Sequence, residues 1–117
     1  MSVFDPDDFH NDPYIGGLNQ LGHVVFGAAI AGAFLLGFEL FLGVVLAAAL
    51  VVGWEVYQRK FRGATLLDMK ADLSYWLAGV ISWGGICWAV GPAWYLALWP
   101  WVPCIAFVVE YIRIKRA

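Results

Sequence analysis

The groups able to do chemistry in this chain concentrate in two short stretches and one upstream position. They are Glu55-Val-Tyr-Gln58, Asp68-Met-Lys-Ala-Asp72, and His23 with Asn19 four residues before it. Carboxylates with one imidazole are hard or borderline ligands, suited to magnesium, manganese or zinc rather than to copper or an iron–sulfur cluster. One histidine with two or three carboxylates holds a divalent metal and leaves a position for water or a phosphate oxygen. His23, Glu55 and Asp72 are the metal candidates; His23, Glu55, Asp68 and Asp72 are the catalytic candidates. Asn19, Gln58, Arg62 and Lys70 are the candidates for binding substrate, and with Arg59 and Lys60 the basic residues there would attract a phosphate or an anionic headgroup. The chain has no glycine-rich phosphate loop, no His-Glu-x-x-His and no Gly-x-Ser-x-Gly. Ser74 and Ser82 have no histidine near them in sequence, which argues against a serine nucleophile.

These groups stand out because their surroundings are apolar. The 117 residues are 62% hydrophobic and 14% charged, against about 45–50% and about 25% in an ordinary globular domain. Mean hydropathy is +0.74. Such a chain is predicted to be an integral membrane protein of one domain, residues 1–117, with membrane lipids as its surroundings. A carboxylate in lipid is costly unless it is paired, hydrated or ligating something. The net charge of −2 gives no reason to expect nucleic acid as a partner. Residues 1–16 form an acidic tail with Asp5, Asp7, Asp8 and Asp12 and no lysine or arginine, unlike the basic start of a secretory signal. The first span is therefore predicted to be retained and to serve as the insertion signal. Cys87 and Cys104 both lie in apolar stretches and read as small packing residues.

Four spans organise the chain. As one helix, residues 21–54 would run about 51 Å, well beyond a hydrocarbon core of about 30 Å. Gly37-Phe38-Glu39 is the natural break, giving spans over about 17–36 and 40–59. Gly91-Pro92 divides the second apolar stretch into spans over about 66–90 and 93–112, followed by a basic tail at 113–117. Pro100 and Pro103 lie inside the last span, so either it kinks or the stretch from Trp94 to Trp101 lies along the interface before a shorter helix. All seven basic residues fall in or beside the loop after span two or at the C-terminus. Four spans put both segments, and the N-terminus, on one face, which the positive-inside rule makes cytoplasmic. The expected fold is thus an all-α polytopic bundle of two hairpins in the inner (plasma) membrane, both termini cytoplasmic. Trp83, Trp88 and Trp94 are predicted as an outer aromatic belt, and Trp54, Trp76 and Tyr111 as an inner one. Gly27 with Ala31, Ala28 with Gly32, and Gly43 with Ala47 form small-residue stripes that close the bundle or join copies of the chain into an oligomer or larger complex.

In this topology three helices each bring a polar pair to the cytoplasmic end. Asn19 and His23 share a face, as do Glu55 and Gln58, and Asp68 and Asp72. Plainer roles exist for each one. Thr65-Leu-Leu-Asp68 matches a helix-opening capping box, Asp72 has Lys70 and Arg62 nearby, and Glu55 precedes Arg59 by four. Convergence is the argument for a site.

The order His, then Glu-x-x-Gln, then two aspartates opening the next helix resembles the VanZ-like family of small membrane proteins. His23, Glu55, Gln58, Asp68 and Asp72 match in order, and Gly79 falls where the family pattern has a glycine. Trp76 stands at the family's asparagine position, the aspartates are spaced by four rather than three, and Arg62 is the nearest match to an expected arginine. The resemblance implies a compact helical membrane protein with a polar site on the cytoplasmic side, tied loosely to envelope lipids and glycopeptide tolerance. It implies no particular reaction.

Two classes of function fit these residues. One is a membrane enzyme or lipid-handling protein with a metal- or phosphate-binding site at the headgroup level, acting on envelope lipid or a lipid-linked substrate. The other is a non-enzymatic component, such as a phage holin-like lysis protein or a small subunit of a larger membrane complex. A transporter fits less well, because no charge is expected near the bilayer midplane.

Overall fold

A computed structural model describes residues 13–91 and 94–116. Residues 1–12 of the expected acidic tail lie outside the described residues, and residues 13–16 open the first helix rather than belonging to a tail. Those described are helical, with no strand among them: α1 Pro13–Phe34, α2 Leu40–Phe61, α3 Leu66–Val90, α4 Trp94–Leu98 and α5 Trp101–Arg116. Three helical stretches are long and apolar enough to cross a membrane: Leu40–Phe61, Leu66–Val90 and Trp94–Arg116. The bundle is apolar outside and small or polar inside. Phe41, Leu67 and Ile105 are exposed, whereas Ala29, Ala31 and Ala47 are fully buried. That distribution suits a lipid surround, where helices associate through close backbone contact rather than through a greasy core.

Helix α1 does not meet the length-and-hydropathy requirement, although it has 22 residues and no charged side chain other than a histidine. Asn19, Gln20 and His23 lower its hydropathy. Its position accounts for this, since α1 packs against α2, α3, α4 and α5 and most extensively on α3. Gly27 of α1 lies on the Trp76 carbonyl of α3, and Gly79 of α3 lies on the Val24 carbonyl of α1. Two glycines thus bring the backbones together from both sides of one crossing, and the stripe Gly43, Ala47, Val51 of α2 is likewise buried inside the chain.

Each break has a local cause. Glu39 caps α2, its carboxylate accepting the Leu42 N–H at 2.6 Å and the Phe41 N–H at 3.0 Å. It satisfies amides that the helix start leaves unbonded. After α2, the N–H groups of Arg62 and Ala64 both return to the Gln58 carbonyl, at 2.9 and 3.2 Å, around Gly63 at φ 77°. Thr65 then caps α3, its Oγ1 accepting the Asp68 N–H at 3.1 Å. The last span is interrupted at Trp99–Pro100, then resumes at Trp101 and runs on through the basic residues to Arg116. Pro100 has no N–H for the Leu96 carbonyl, and Trp83 Nε1 of α3 donates to that carbonyl at 2.7 Å. Trp83 thus ties α3 to the last helical stretch through its indole N–H. Pro103 is tolerated because it sits in the first turn of α5, where its missing N–H has no intrahelical partner to lose.

Candidate functional site

The inward stripe of each central helix ends in polar residues. On α2 it runs Gly43, Ala47, Val51, Glu55, Gln58; on α3 it runs upward from Asp68 and Asp72 to Trp76, Gly79 and Val80. Side chains three or four apart stack on one helix face, so the spacing that packs the middle of the bundle also turns these groups inward at its end. His23 and Asn19 of α1 face the same interior. His23, Asn19 and Glu55 are fully buried, and Gln58, Asp68 and Asp72 are 1–3% exposed.

His23, Glu55 and Asp72, from three different helices, each present a ligand atom within 4.8 Å of the others. Two residues hold them in place. Gln20 Nε2 donates to Asp72 Oδ1 at 3.0 Å, which orients the amide so that its Oε1 lies 3.0 Å from His23 Nδ1. A carbonyl oxygen only accepts, so in this bond His23 Nδ1 is the donor. Across the site, Trp76 Nε1 donates to Glu55 Oε1 at 2.8 Å, and its ring meets His23 at a centroid distance of 4.9 Å and 64°. Glu55 Oε2 has no hydrogen-bond partner among the described residues. His23 Nδ1 and Asp72 Oδ1 are 4.0 Å apart, too far for a direct hydrogen bond, and Gln20 spans the gap.

One nitrogen and two carboxylates from rigid helices form a set with three protein ligands, the number found where a bound metal keeps a position open for chemistry. Tetrahedral ligand atoms about 2.1 Å from zinc lie roughly 3.4 Å apart, so binding zinc would draw these side chains inward.

Asn19, Gln58 and Asp68 sit about one turn nearer the helix ends than His23, Glu55 and Asp72. Arg62 and Lys70 are exposed and lie outside this buried group. Arg59 and Lys60 are exposed as well, lining an open groove of about 560 Å³ with Val56, Ala64 and Met69. Glu55 takes Trp76 as its partner rather than Arg59. The Thr65–Asp68 cap is present, yet Asp68 remains a buried member of the cluster.

Sequence reasoning missed Gln20 and misplaced Trp76. Gln20 precedes His23 by three and so shares its side of α1, a spacing that is legible in advance. Trp76 follows Asp72 by four on the face that carries Asp68, which is better evidence of an inward position than of an interfacial belt. Replacing Gln20 with leucine is expected to weaken divalent-cation affinity by about 10- to 100-fold. Nitrogen-detected NMR of His23 should then show the Nδ1–H tautomer no longer dominant; unchanged affinity and tautomer would refute the role given to Gln20. Comparison with known proteins adds no relative: no family profile, no curated protein and no solved structure matches this chain.

Proposed function

We propose that this is a four-span protein of the inner (plasma) membrane, both termini cytoplasmic, that holds a divalent cation on His23, Glu55 and Asp72 at the headgroup level. It uses that cation on a phosphate-linked envelope lipid or other lipid-linked substrate. The observation that carries the reading is the buried convergence of three ligand atoms within 4.8 Å, with Glu55 Oε2 lacking any other described partner. Burying such groups without a use for them is unfavourable. The bound cation would polarise a phosphate oxygen or activate a water. Gln20 and Trp76 orient the ligands, and the exposed Arg59, Lys60, Arg62 and Lys70 gather anionic headgroups at this end of the bundle.

The topology draws on two supports. Helix α1 has 22 residues, about 33 Å at roughly 1.5 Å per residue, enough to cross the hydrocarbon. It can be more polar than its neighbours because they surround it. The basic residues cluster at the α2–α3 connection and in the last turn of α5, one side of the bilayer under the positive-inside rule. A cysteine introduced as Glu39→Cys should react with a membrane-impermeant maleimide on intact cells, and Arg62→Cys should react only after lysis. The reverse pattern would invert the orientation. The ordered His23, Glu-x-x-Gln and aspartate pair supports kinship with VanZ-like proteins, and that kinship specifies no reaction.

The deciding experiment is elemental analysis of detergent-purified protein after dialysis against magnesium, manganese, zinc or calcium. About one equivalent of one ion is expected. No retained ion under any condition would defeat the proposal and make the cluster a packing device of a non-enzymatic component, holin-like or otherwise.

A further inference from the structure

The polar interior has a second layer that the cation does not account for. Asn19 is fully buried, and neither its Oδ1 nor its Nδ2 has a hydrogen-bond partner among the described residues. Gln58 is 1% exposed and its Oε1 is in the same condition. The two sit on the same helix faces as His23 and Glu55, about one turn nearer the helix ends, with Asp68 buried at the matching position of α3. Buried amides without partners are rare in folded proteins and call for an explanation.

We propose that this outer layer is a binding site for a hydroxyl-bearing group, the polyol or sugar part of a lipid headgroup. The chemistry of the unmet atoms selects the class. They comprise two carbonyl acceptors, Asn19 Oδ1 and Gln58 Oε1, and one donor, Asn19 Nδ2. A phosphate at neutral pH brings mainly acceptors, which leave the two carbonyls unmet. An ammonium brings donors only and leaves that N–H unmet. A hydroxyl donates and accepts through one atom, and neighbouring hydroxyls satisfy both carbonyls and the amide together. The phosphate of such a headgroup stays outside the layer, in the groove lined by Arg59 and Lys60. That groove abuts the last turn of α2, since Ala64 lines it and donates its backbone N–H to the Gln58 carbonyl at 3.2 Å. The inference rests on the proposed placement of this end at the headgroup level, and it does not require the cation.

The test reconstitutes the full chain in phosphatidylcholine nanodiscs with phosphatidylglycerol, phosphatidylinositol or phosphatidic acid as guest lipid. Retention is read by native mass spectrometry and metal content is measured on the same samples. The two hydroxyl-bearing lipids should be retained about tenfold better than phosphatidic acid, the difference expected from one or two added hydrogen bonds. Asn19→Leu and Gln58→Leu should each abolish the preference while the protein stays folded, because replacing an unpartnered buried amide with an apolar group of similar size relieves a cost. Displacement of labelled phosphatidylglycerol by free glycerol 3-phosphate would identify a soluble polyol phosphate as an equal source of the ligand. Failure to displace it would assign the site to the lipid. Equal retention of all three lipids by the wild-type protein, or a preference that survives both substitutions, would overturn the proposal and leave the layer filled by water. A preference without bound metal would retain this inference and discard the cation; bound metal without a preference would do the opposite.

Discussion

Glu55→Gln is expected to lower divalent-cation affinity by at least about a hundredfold, more than the loss of an orienting partner costs. The substitution keeps the shape of the side chain and an oxygen able to accept the Trp76 indole proton. It removes an ionisable carboxyl from a fully buried position beside Asp72. Without metal, therefore, the variant should unfold at the same temperature as the wild-type protein or higher, because a neutral amide there has no ionisation to be penalised by burial. With saturating metal the order should reverse, since only the wild-type protein gains stability from binding. Asp72→Asn should behave alike, keeping an acceptor for Gln20 while losing a charged ligand. Calorimetric titration measures the affinity, and thermal denaturation in detergent with and without metal measures the crossover. Protons compete for all three ligands, so affinity should also fall as pH is lowered. Wild-type affinity in either variant would remove the basis for a metal site.

Gly79→Ala is the second substitution with a large expected effect. A Cβ at this position would fall on the Val24 carbonyl, with the Val24 carbonyl carbon at 2.8 Å and the Ala28 nitrogen at 3.0 Å. All three obstacles are backbone, so no side chain can rotate away and the helices must separate. The expected cost is about 3 kcal/mol or more, at the upper end for adding one methyl group to a packed interior. Gly27→Ala presses on the opposite side of the crossing, against the Trp76 carbonyl, and should behave similarly. The damage should reach the site, because the α1–α3 crossing brings His23 to Trp76 and Gln20 to Asp72. Gly53→Ala is the control. Nothing lies within 4 Å of its Cβ, so this helical substitution should be neutral or stabilising by up to about 1 kcal/mol. If Gly79→Ala and Gly53→Ala unfold alike, the close crossing is not what holds α1 and α3 together.

Much of the helical layout could be read in advance because its causes are local. Gly63 and Gly91, both at positive φ, lie where α2 and α3 end, a threonine before Leu-Leu-Asp caps one helix, and a proline without an N–H interrupts another. The break at Pro100 and the cap at Thr65 required knowledge of neither partner. The centrality of α1 was different. Its hydropathy is depressed by Asn19, Gln20 and His23, and only its enclosure by four other helices makes that composition workable. The tryptophans show the same boundary. An indole is at home in an interfacial belt or in the interior with a partner for its N–H. A partner in the interior decided between the two for Trp76, the Glu55 carboxylate.

By itself the sequence determined that this chain is apolar and helical. It also determined that Asn19 with His23, Glu55 with Gln58 and Asp68 with Asp72 each share a helix face, because the 3.6-residue period sets what lies on one side of one helix. Only the tertiary structure decided that those faces turn toward one another. It also decided that Gln20 bridges His23 and Asp72, and that Glu55 bonds Trp76 instead of Arg59. Contacts between helices depend on crossing depth and rotation. Here the two glycines at the α1–α3 crossing set the depth, and the packing of every other helix around it sets the rotation.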